Sequence, residues 1–437
     1  MTYVLGTRLP EGWQARRLKH VTTKLHRGSA PNYADNGAVR AVSQAANQSA
    51  GLDWSRTRLH DPSGDGHRIR GYLNVGDVLI NSTGTGTLGR IGYFSGSPDS
   101  LPCIADSHVT IARGSQDRLY SRFLYYWLSS SLFQEYIEAA LTVGATNQIE
   151  LNREALAEAS LPCPPLVEQR RIADFLDAET GRLDRMISLH RRQADLLAER
   201  QVAELRMRMT GSSKPGEAGT RIPWLGTVTE RWHISHLNRV GTFHMGTTFP
   251  HAFQGEKSGD YPFVKVGDFA SADIMGNIDS ADNWVTNMTQ RVLGGRVVPA
   301  GSVIYARVGG ALLLNQRRVI TRKCLVDDNV RGIEFTDGEP RFWMHLLSLL
   351  DMGQLSNPGP VPSVSESQVA GVRVPVPALS EQREIARIVD KQLGSTAQVR
   401  ERISHQTALM LERRQALVTS AVTGQIDVTT ARGVDVS

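Results

Sequence analysis

The sequence predicts an α+β protein in which two mixed α/β globular domains are separated by two long antiparallel coiled-coil helices, with an internal pseudo-two-fold duplication. Residues 161–173 return as residues 374–386 without a gap. Pro375 minus Pro162 and Gly424 minus Gly211 both equal 213, so the offset stays constant along the repeat. Each copy opens with a Pro-rich segment and continues with apolar residues at heptad spacing, as expected for a long paired helix.

The composition is that of an ordinary globular protein with an unusual choice of basic residue. The 437 residues suffice for two to four domains, and 40% of them are hydrophobic. Of the 49 basic residues, seven are Lys and 42 are Arg. Arg suits bidentate contacts to phosphate groups and guanine edges, although a GC-rich genome would produce the same bias. The pI of 9.2 permits a nucleic-acid partner without requiring one.

The cysteines and the N-terminus exclude several classes of protein. Cys103, Cys163 and Cys324 are far apart, and no His lies at metal-ligand spacing from them, which argues against disulfides and structural zinc. The N-terminus lacks the basic start and apolar run of a signal peptide. No run of 18 apolar residues indicates a membrane span. We therefore expect a cytoplasmic protein.

Residues 1–160 are predicted to form the first globular domain. Apolar runs at residues 78–80 and 91–94 are typical of strands, and the Gly/Thr-rich segment between them predicts a hairpin or a surface recognition loop. That segment mimics a dinucleotide-binding glycine motif, but a strand follows it instead of a helix, which argues against a cofactor. From Arg122 to Ile137 the apolar spacing predicts one core-facing helix, whose aromatic residues are interpreted as packing.

The first helical region, residues 161–211, is the predicted spacer. Pro164 and Pro165 fit the entry of a helix that starts near Leu166, and Glu168 places a negative charge at its positive end. Gly211 fits the position just after the helix, and residues 212–222 have the composition of a linker. The seam predicted for coiled-coil and subunit contacts comprises Leu176, Glu179, Leu183, Met186, His190, Gln193 and Leu197. We interpret His190 as a polar seam residue and not as a ligand.

The second half repeats this plan, with a second globular domain at 223–373, a second helical region at 374–424 and a C-terminal tail at 425–437. Gly246 stands where Gly28 stood, whereas the stretch from Asn315 to Arg318 has no sequence counterpart in the first half. Ser380 is the expected N-cap of the second helix. Its predicted seam comprises Val389, Gln392, Thr396, Val399, Ile403, Gln406, Met410 and Leu417. Helices of roughly 40 residues would each extend about 60 Å, and antiparallel pairing would place the domains at opposite ends.

Two similar domains on a stiff spacer suit a long ligand with approximate two-fold symmetry, and duplex DNA is such a ligand. The order of globular domain, Pro-x-Pro-x-Leu-x-Glu-Gln-x-x-Ile-Ala helix, and the same again resembles the specificity subunit of type I restriction-modification enzymes. The Glu168-Gln169 and Glu381-Gln382 helix openings and the Gly/Thr-rich stretch from residue 76 to residue 90 carry the resemblance. It covers essentially the whole chain.

The resemblance implies two target-recognition domains that bind double-stranded DNA at a bipartite, asymmetric site. It also implies helical regions that bind DNA adenine methyltransferase subunits, and it admits restriction or translocase subunits as further partners. In the second half, Ala306-Arg-Val-Gly-Gly310 replaces the Ser-Thr-Gly-Thr-Gly run, so the two domains need not use the same loop.

The sequence contains neither a G-x-x-x-x-G-K-[ST] loop nor an Asn/Asp-Pro-Pro-Tyr/Phe methyltransferase motif. We therefore expect a non-catalytic chain with no metal or cofactor of its own. S-adenosylmethionine, ATP and Mg²⁺ would belong to partner subunits.

The candidate DNA contacts are polar and basic side chains of loops, for which a purely structural role is the alternative: Lys24, Arg27, Ser82, Thr83, Thr85, Thr87, Arg90, Asn147, Gln148, Arg307, Arg317 and Arg318. Two rival functions stay open. A duplicated coiled-coil scaffold that binds proteins would show no salt-dependent DNA affinity. A methyltransferase or nuclease with degenerate motifs is the other rival, and binding of S-adenosylmethionine by the isolated chain would favour it.

Overall fold

The computed structural model describes residues 1–48, 51–64, 71–84, 86–143, 149–211, 218–357 and 359–428. The chain divides into two compact units. Unit 1 contains Met1–His190 and Gln406–Ser437, and unit 2 contains Arg191–His405. Each unit thus combines one globular domain with the first part of one long helix and the last part of the other.

The helices comprise short elements in the globular domains and two long ones. Their bounds are α1 (Leu18–Val21), α2 (Ser121–Ser129), α3 (Ser131–Ala140), α4 (Arg153–Glu158), α5 (Leu166–Thr210), α6 (Leu237–Val240), α7 (Asn287–Leu293), α8 (Gly310–Leu313), α9 (Pro340–Ser348), α10 (Met352–Leu355), α11 (Glu366–Ala370) and α12 (Leu379–Val422). The long helix α5 begins at the predicted Leu166. Helix α12 begins at Leu379, so Ser380 lies in its first turn and is not its N-cap, contrary to the prediction.

Unit 1 contains a four-stranded and a three-stranded sheet, with small two-stranded ribbons around them. Its strands are β1 (Tyr3–Val4), β2 (Thr7–Arg8), β3 (Gln14–Arg17), β4 (Thr22–Arg27), β5 (Val39–Val42), β6 (Asn47–Gln48), β7 (Gly51–Leu52), β8 (Arg58–His60), β9 (Val78–Asn81), β10 (Ile91–Tyr93), β11 (Cys103–Ala105), β12 (Val109–Gly114), β13 (Thr142–Val143), β14 (Glu150–Leu151) and β15 (Ser160–Cys163). The two sheets have the orders β10-β9-β12-β4 and β11-β5-β8.

Unit 2 repeats this topology. Its strands are β16 (Gly219–Ile222), β17 (Gly226–Thr229), β18 (His233–His236), β19 (Thr242–Met245), β20 (Tyr261–Val264), β21 (Asn277–Ile278), β22 (Asn283–Val285), β23 (Val303–Ala306), β24 (Arg317–Ile320), β25 (Leu325–Val326), β26 (Val330–Glu334) and β27 (Arg373–Val376). The order β24-β23-β26-β19 matches the four-stranded sheet of unit 1, with β21 added beside β24, and β25-β20-β22 matches the three-stranded sheet. In both small sheets one pairing is parallel and the other antiparallel. The predicted duplication is confirmed at the level of strand order.

The helix predicted from Arg122 to Ile137 is two helices. Ser130 has an extended backbone (φ −66°, ψ 148°), and its hydroxyl accepts a hydrogen bond from the N–H of Phe133, which caps α3. Apolar spacing alone cannot detect this break because α2 and α3 both face the same core. The aromatic residues of this segment pack inside, as predicted, with Trp127 fully buried.

The long helices pair antiparallel inside each unit. In unit 1, Leu176 near the start of α5 shares a core with Val418 near the end of α12, and Arg414 Nε donates to Asp184 Oδ1 at 2.9 Å. In unit 2, the other end of α5 meets the start of α12, where Arg208 Nε donates to a side-chain oxygen of α12 at 3.3 Å. Heptad pairing is thus present in both units.

The seam predicted for α5 alternates between two heptad positions, and at one of these positions the buried residue lies one place further along the chain. Met186 is 41% exposed and Val399 is 40% exposed, whereas Ile187 is 4% exposed. Gln193 and Gln406 are also exposed, while Thr180 is buried. The remaining predicted positions are buried or half-buried: Leu176, Glu179, Leu183, His190, Leu197, Val389, Gln392, Thr396, Ile403, Met410 and Leu417. The true seam steps four and then three residues from Leu176. Either order of steps keeps residues on one side of a helix with 3.6 residues per turn, and only the packing partner selects between them.

The Glu-Gln pair at the start of each long helix attaches that helix to a globular domain. Trp13 Nε1 donates to Glu168 Oε1 at 3.1 Å, and Trp232 Nε1 donates to Glu381 Oε2 at 2.9 Å. The Gln that follows each Glu is buried and hydrogen-bonded to backbone groups. The repeated sequence signature is therefore explained by two equivalent junctions.

Each long helix ends against the globular domain of the unit in which it finishes. Gly211 has a φ of +65°, and a Cβ there would lie 2.7 Å from the Trp232 ring in unit 2. Gly424 has a φ of +72°, and a Cβ there would lie 2.3 Å from Pro10 in unit 1. Both Thr-Gly ends need glycine for its left-handed conformation and for close packing.

Candidate nucleic-acid interface

The polar loop of the first half closes a hairpin between β9 and β10, as predicted. The Gly89 N–H donates to Asn81 O at 2.8 Å. Gly84 and Gly89 have φ values of 97° and 78°, which residues with a Cβ rarely adopt. The Thr87 hydroxyl donates to the backbone oxygens of Thr83 and Gly84 at 3.2 and 3.3 Å. The Thr87 hydroxyl therefore supports the backbone of the described part of the loop.

The two hydroxyls at the start of this loop bond inside the domain. Ser82 is fully buried, and its Oγ lies 2.6 Å from Thr110 Oγ1. Thr83 Oγ1 lies 2.8 Å from His108 Nδ1 and donates to Gln44 Oε1 at 3.1 Å. The structure thus places the Ser82 side chain in the core instead of on a surface open to DNA. Thr83 stays half-buried at the edge.

The basic candidates of unit 1 are partly engaged by the protein. Arg90 Nη1 donates to Asn47 O at 3.1 Å, and Arg27 Nη2 donates to Glu150 Oε2 at 2.9 Å. Lys24 Nζ donates to a backbone carbonyl at 3.0 Å, and burial together with a neighbouring guanidinium lowers its pKa. Thr85, Asn147 and Gln148, the other candidates here, lie outside the described residues.

The candidates of unit 2 fall on both sides of its corresponding loop. Arg307 is half-buried, and its Nη1 donates to Asp328 O at 3.3 Å. Arg317 is 4% exposed and donates to Leu350 O at 3.0 Å, and burial lowers its pKa to about 10. Arg318 Nε donates to a backbone carbonyl at 3.1 Å, and burial lowers its pKa as well. Arg317 is therefore a core residue, contrary to its prediction as a DNA contact.

The segment around Arg317 has a structural counterpart that its sequence hides. Strand β24 pairs with β23 as β10 pairs with β9, and Arg317 faces Tyr305 where Ile91 faces Ile80. Arg317 and Arg318 therefore have structural counterparts in the first half, although the sequence comparison found none for residues 315–318. Replacement of an apolar residue by Arg concealed a shared strand.

The strand ends beside the two loops are equivalent down to their hydrogen bonds. The Ser82 N–H donates to His108 O at 2.8 Å, and the Arg307 N–H donates to Asn329 O at 2.9 Å. The backbone N–H of His108 donates to the Asp106 carboxylate, and the backbone N–H of Asn329 donates to the Asp327 carboxylate. Ser82 and Arg307 are thus the same position in two copies of one frame.

Sequence reasoning missed the residues that flank these positions across the sheet. Thr110 and Arg331 occupy equivalent positions on β12 and β26, because Thr110 faces Ile80 and Arg331 faces Tyr305. A signal was available, since Arg331 interrupts the otherwise apolar stretch from Val330 to Ile333. Strand periodicity would have drawn attention to a charged residue at a core-facing position.

Within the described ranges, no group of three or more His, Cys, Asp or Glu side chains is arranged to hold a metal ion. The three cysteines are unpaired. None of the helices described combines the length and the apolar character needed to cross a bilayer.

The family described as type I restriction modification DNA specificity domain matches residues 10–196 and 229–405, one match for each half of the duplication. The chain belongs to this family. It is thus a specificity subunit of a type I restriction-modification system, which recognises a DNA target and forms a complex with the methylase.

Relatives of the specificity subunit family cover most of this chain. A protein named as the type I restriction enzyme MjaX specificity subunit, from Methanocaldococcus jannaschii, is 20% identical over 387 residues, which cover 87% of this chain and 86% of the relative. One from Haemophilus influenzae, named as the specificity subunit S.HindORF215P, is 24% identical over 339 residues, 74% of this chain and 76% of its own.

Two solved structures share the fold. A chain from a study of complex assembly and conformational transition of the type I R-M system superposes with a TM-score of 0.73 at 18% identity, covering 96% of this chain and 100% of that one. The HsdS subunit from Thermoanaerobacter tengcongensis gives a TM-score of 0.52 at 19% identity, covering 96% of this chain and 98% of that one.

Proposed function

We propose that this specificity subunit recognises a bipartite, asymmetric DNA sequence, with one part recognised by each globular domain, and directs adenine methyltransferase subunits to it. The observation that carries the proposal is that two sheets of the same strand order bear different loops. The loop between β9 and β10 is a Gly/Thr hairpin, whereas the one between β23 and β24 contains α8 and exposed leucines. A shared frame with unlike loops suits two unlike half-sites.

The long helices carry the surface that we assign to the methyltransferase. Apolar side chains point to solvent along both: Met186, Leu189, Leu196, Val202 and Met207 on α5, and Val399, Leu409 and Leu411 on α12. Exposed apolar residues on a helix that is already paired are typical of a further protein contact. Met186 corresponds to Val399 and Leu196 to Leu409 by the 213-residue offset. Equivalent surfaces on both helices suit more than one copy of the same partner.

In this proposal the chain itself performs no chemistry. S-adenosylmethionine would bind to the methyltransferase subunits, and ATP and Mg²⁺ would bind to a restriction or translocase subunit where one joins the complex. The boundaries that we propose are recognition domains at 1–160 and 223–373 and helical regions at 161–211 and 374–424. Because its proposed target is DNA, we propose a cytoplasmic location for the protein.

Co-expression with the cognate methyltransferase subunit tests this function. We expect methylated adenines in one motif with two specified parts and an unspecified gap, which long-read sequencing of the host DNA detects. A continuous motif, or methylation without sequence preference, would contradict the proposal.

A second assay separates DNA recognition from a protein scaffold. The complex should bind a duplex that carries the mapped motif with an affinity that falls steeply as salt rises. The variant Met186→Glu, at an exposed helix position, should retain the fold and weaken methyltransferase association. A chain that captures the methyltransferase but shows no affinity for duplex DNA at any salt concentration would favour the scaffold.

A further inference from the structure

Two equivalent positions carry opposite chemistry in the two units. In unit 1 they hold Ser82 and Thr110, whose hydroxyls lie 2.6 Å apart and share one hydrogen bond. In unit 2 they hold Arg307 and Arg331. A neutral, hydrogen-bonded pair in unit 1 thus corresponds to two guanidinium groups in unit 2 on the same backbone frame.

The two guanidinium groups converge on one point. Arg331 Nη1 donates to Asp328 O at 2.9 Å, and Arg307 Nη1 donates to the same oxygen at 3.3 Å. Arg331 is only 9% exposed, and Arg307 is half-buried. Burial lowers the pKa of Arg331, and the charge of Arg307 lowers it further. Two like charges are therefore held side by side where water screens them poorly.

No carboxylate in the described part of the chain forms an ion pair with either group. Two other poorly exposed guanidiniums differ, because Arg113 pairs with Asp77 and Arg341 pairs with Asp390, whereas the buried Arg317 bonds to backbone carbonyls instead. The charges of Glu366 and Asp328 act on Arg331 through space and partly offset the lowering of its pKa, but neither carboxylate lies within ion-pair distance of it. The pair thus lacks the directly bonded carboxylate that Arg113 and Arg341 have.

We propose that Arg307 and Arg331 form a phosphate clamp, a preformed site in unit 2 for one phosphate group of the DNA backbone, with no equivalent in unit 1. A phosphate supplies a directly bonded negative charge and accepts several N–H bonds at once, in the geometry that guanidinium favours. A guanine edge also accepts from Arg but is neutral, so it would leave the two adjacent guanidinium groups without a directly bonded anion. The clamp rests on the proposed DNA-binding function and makes the two halves of the interface electrostatically unequal.

The test measures the salt dependence of duplex binding by the full chain in complex with its methyltransferase. The dissociation constant for a duplex that carries the mapped motif is determined by fluorescence anisotropy at several salt concentrations. Arg307→Gln should weaken binding on the order of 10-fold at about 100 mM salt and reduce the slope of log K against log salt by about 0.9, the value for one lost phosphate contact. The methylated motif should not change.

Two further variants sharpen this test. Arg307→Lys keeps the charge and should retain the wild-type slope. Arg239→Gln is the matched control, because it removes the same charge from an exposed position of unit 2. Arg239 lies three residues before Thr242, and Thr242 pairs with Glu334, at the opposite end of β26 from Arg331. It should leave both affinity and slope unchanged.

The outcomes separate the clamp from the function on which it rests. If the wild-type complex binds the duplex with the mapped motif no better than a duplex without it, both the clamp and the proposed function are overturned. Normal wild-type binding with an unchanged slope in Arg307→Gln would overturn the clamp alone. Relaxation of one base of the methylated motif in Arg307→Gln would also overturn it, because it would identify a base contact. Arg331→Gln, checked for folding by circular dichroism, should reproduce the result of Arg307→Gln.

Discussion

Replacing Gln169 with Ala should loosen unit 1 at its junction with α5. The Gln169 side chain is 1% exposed and makes three hydrogen bonds. It accepts from the Tyr120 N–H at 2.8 Å, and its Nε2 donates to Arg118 O at 3.0 Å and Pro164 O at 2.9 Å. At about 1 kcal/mol net for each of the three bonds, the loss comes to about 3 kcal/mol.

The duplication supplies a matched control in Gln382→Ala. Gln382 makes two such bonds, accepting from the Glu339 N–H at 3.0 Å and donating to Pro377 O at 2.9 Å, so its loss should cost about 2 kcal/mol. Hydrogen exchange of peptides around residues 118–124 and 337–343 measures local opening in each unit. We expect exchange on the order of 100-fold faster for Gln169→Ala in unit 1 and about 30-fold faster for Gln382→Ala in unit 2. Equal acceleration of both units by one substitution, or none, would refute this account.

Three other predictions follow from the helices and their junctions. Ile187→Ala should lower the free energy of unfolding by about 3 kcal/mol, because Ile187 is buried in the seam, and the exposed Met186→Ala by less than about 1 kcal/mol. Urea unfolding measures both, and equal losses would contradict the seam register. Burial lowers the pKa of His345, and its hydrogen bond to Asp390 only partly offsets this, so the unfolded state binds more protons. Unit 2 should therefore lose stability as pH falls from about 7.5 to 5.5. In unit 1 the Tyr126 hydroxyl donates to Asp177 as His345 bonds to Asp390. His345→Tyr should therefore flatten the pH dependence, and a flat curve for the wild-type protein would contradict the prediction. Inserting four residues after Ala198, about one helical turn, should lengthen the gap in the methylated motif and leave both parts intact, whereas changed parts with the same gap would disprove a spacer role.

Packing decided the details of the long helices that spacing left open. The sequence identified the start of α5, the end glycines of both helices and one seam series correctly. It placed Met186 in the seam instead of Ile187 because steps of three and four residues differ little in angle on a single helix. The break at Ser130 was missed for a related reason, since both helices beside it present apolar residues to one core.

Predictions about individual DNA contacts depended on burial, which residue type does not reveal. Ser82 and Arg317 are polar residues in loop-like or mixed sequence, yet both lie in the core. Conversely, Arg331 lies in a strand and was not predicted as a DNA contact, although it donates to the same carbonyl oxygen as Arg307. Separation of 24 positions along the chain hid a pair that the sheet brings together.

The sequence by itself determined the architecture, because a duplication without gaps preserves heptad spacing, turn glycines and the Glu-Gln helix openings, which are all local signals. Tertiary structure alone decided which residues of the two copies are equivalent where their sequences differ. Strand pairing aligns Ser82 with Arg307 and Thr110 with Arg331 through backbone hydrogen bonds, which do not depend on side-chain identity. The same frame can therefore hold a neutral pair in one unit and two positive charges in the other, and that difference becomes visible only when the sheets are compared.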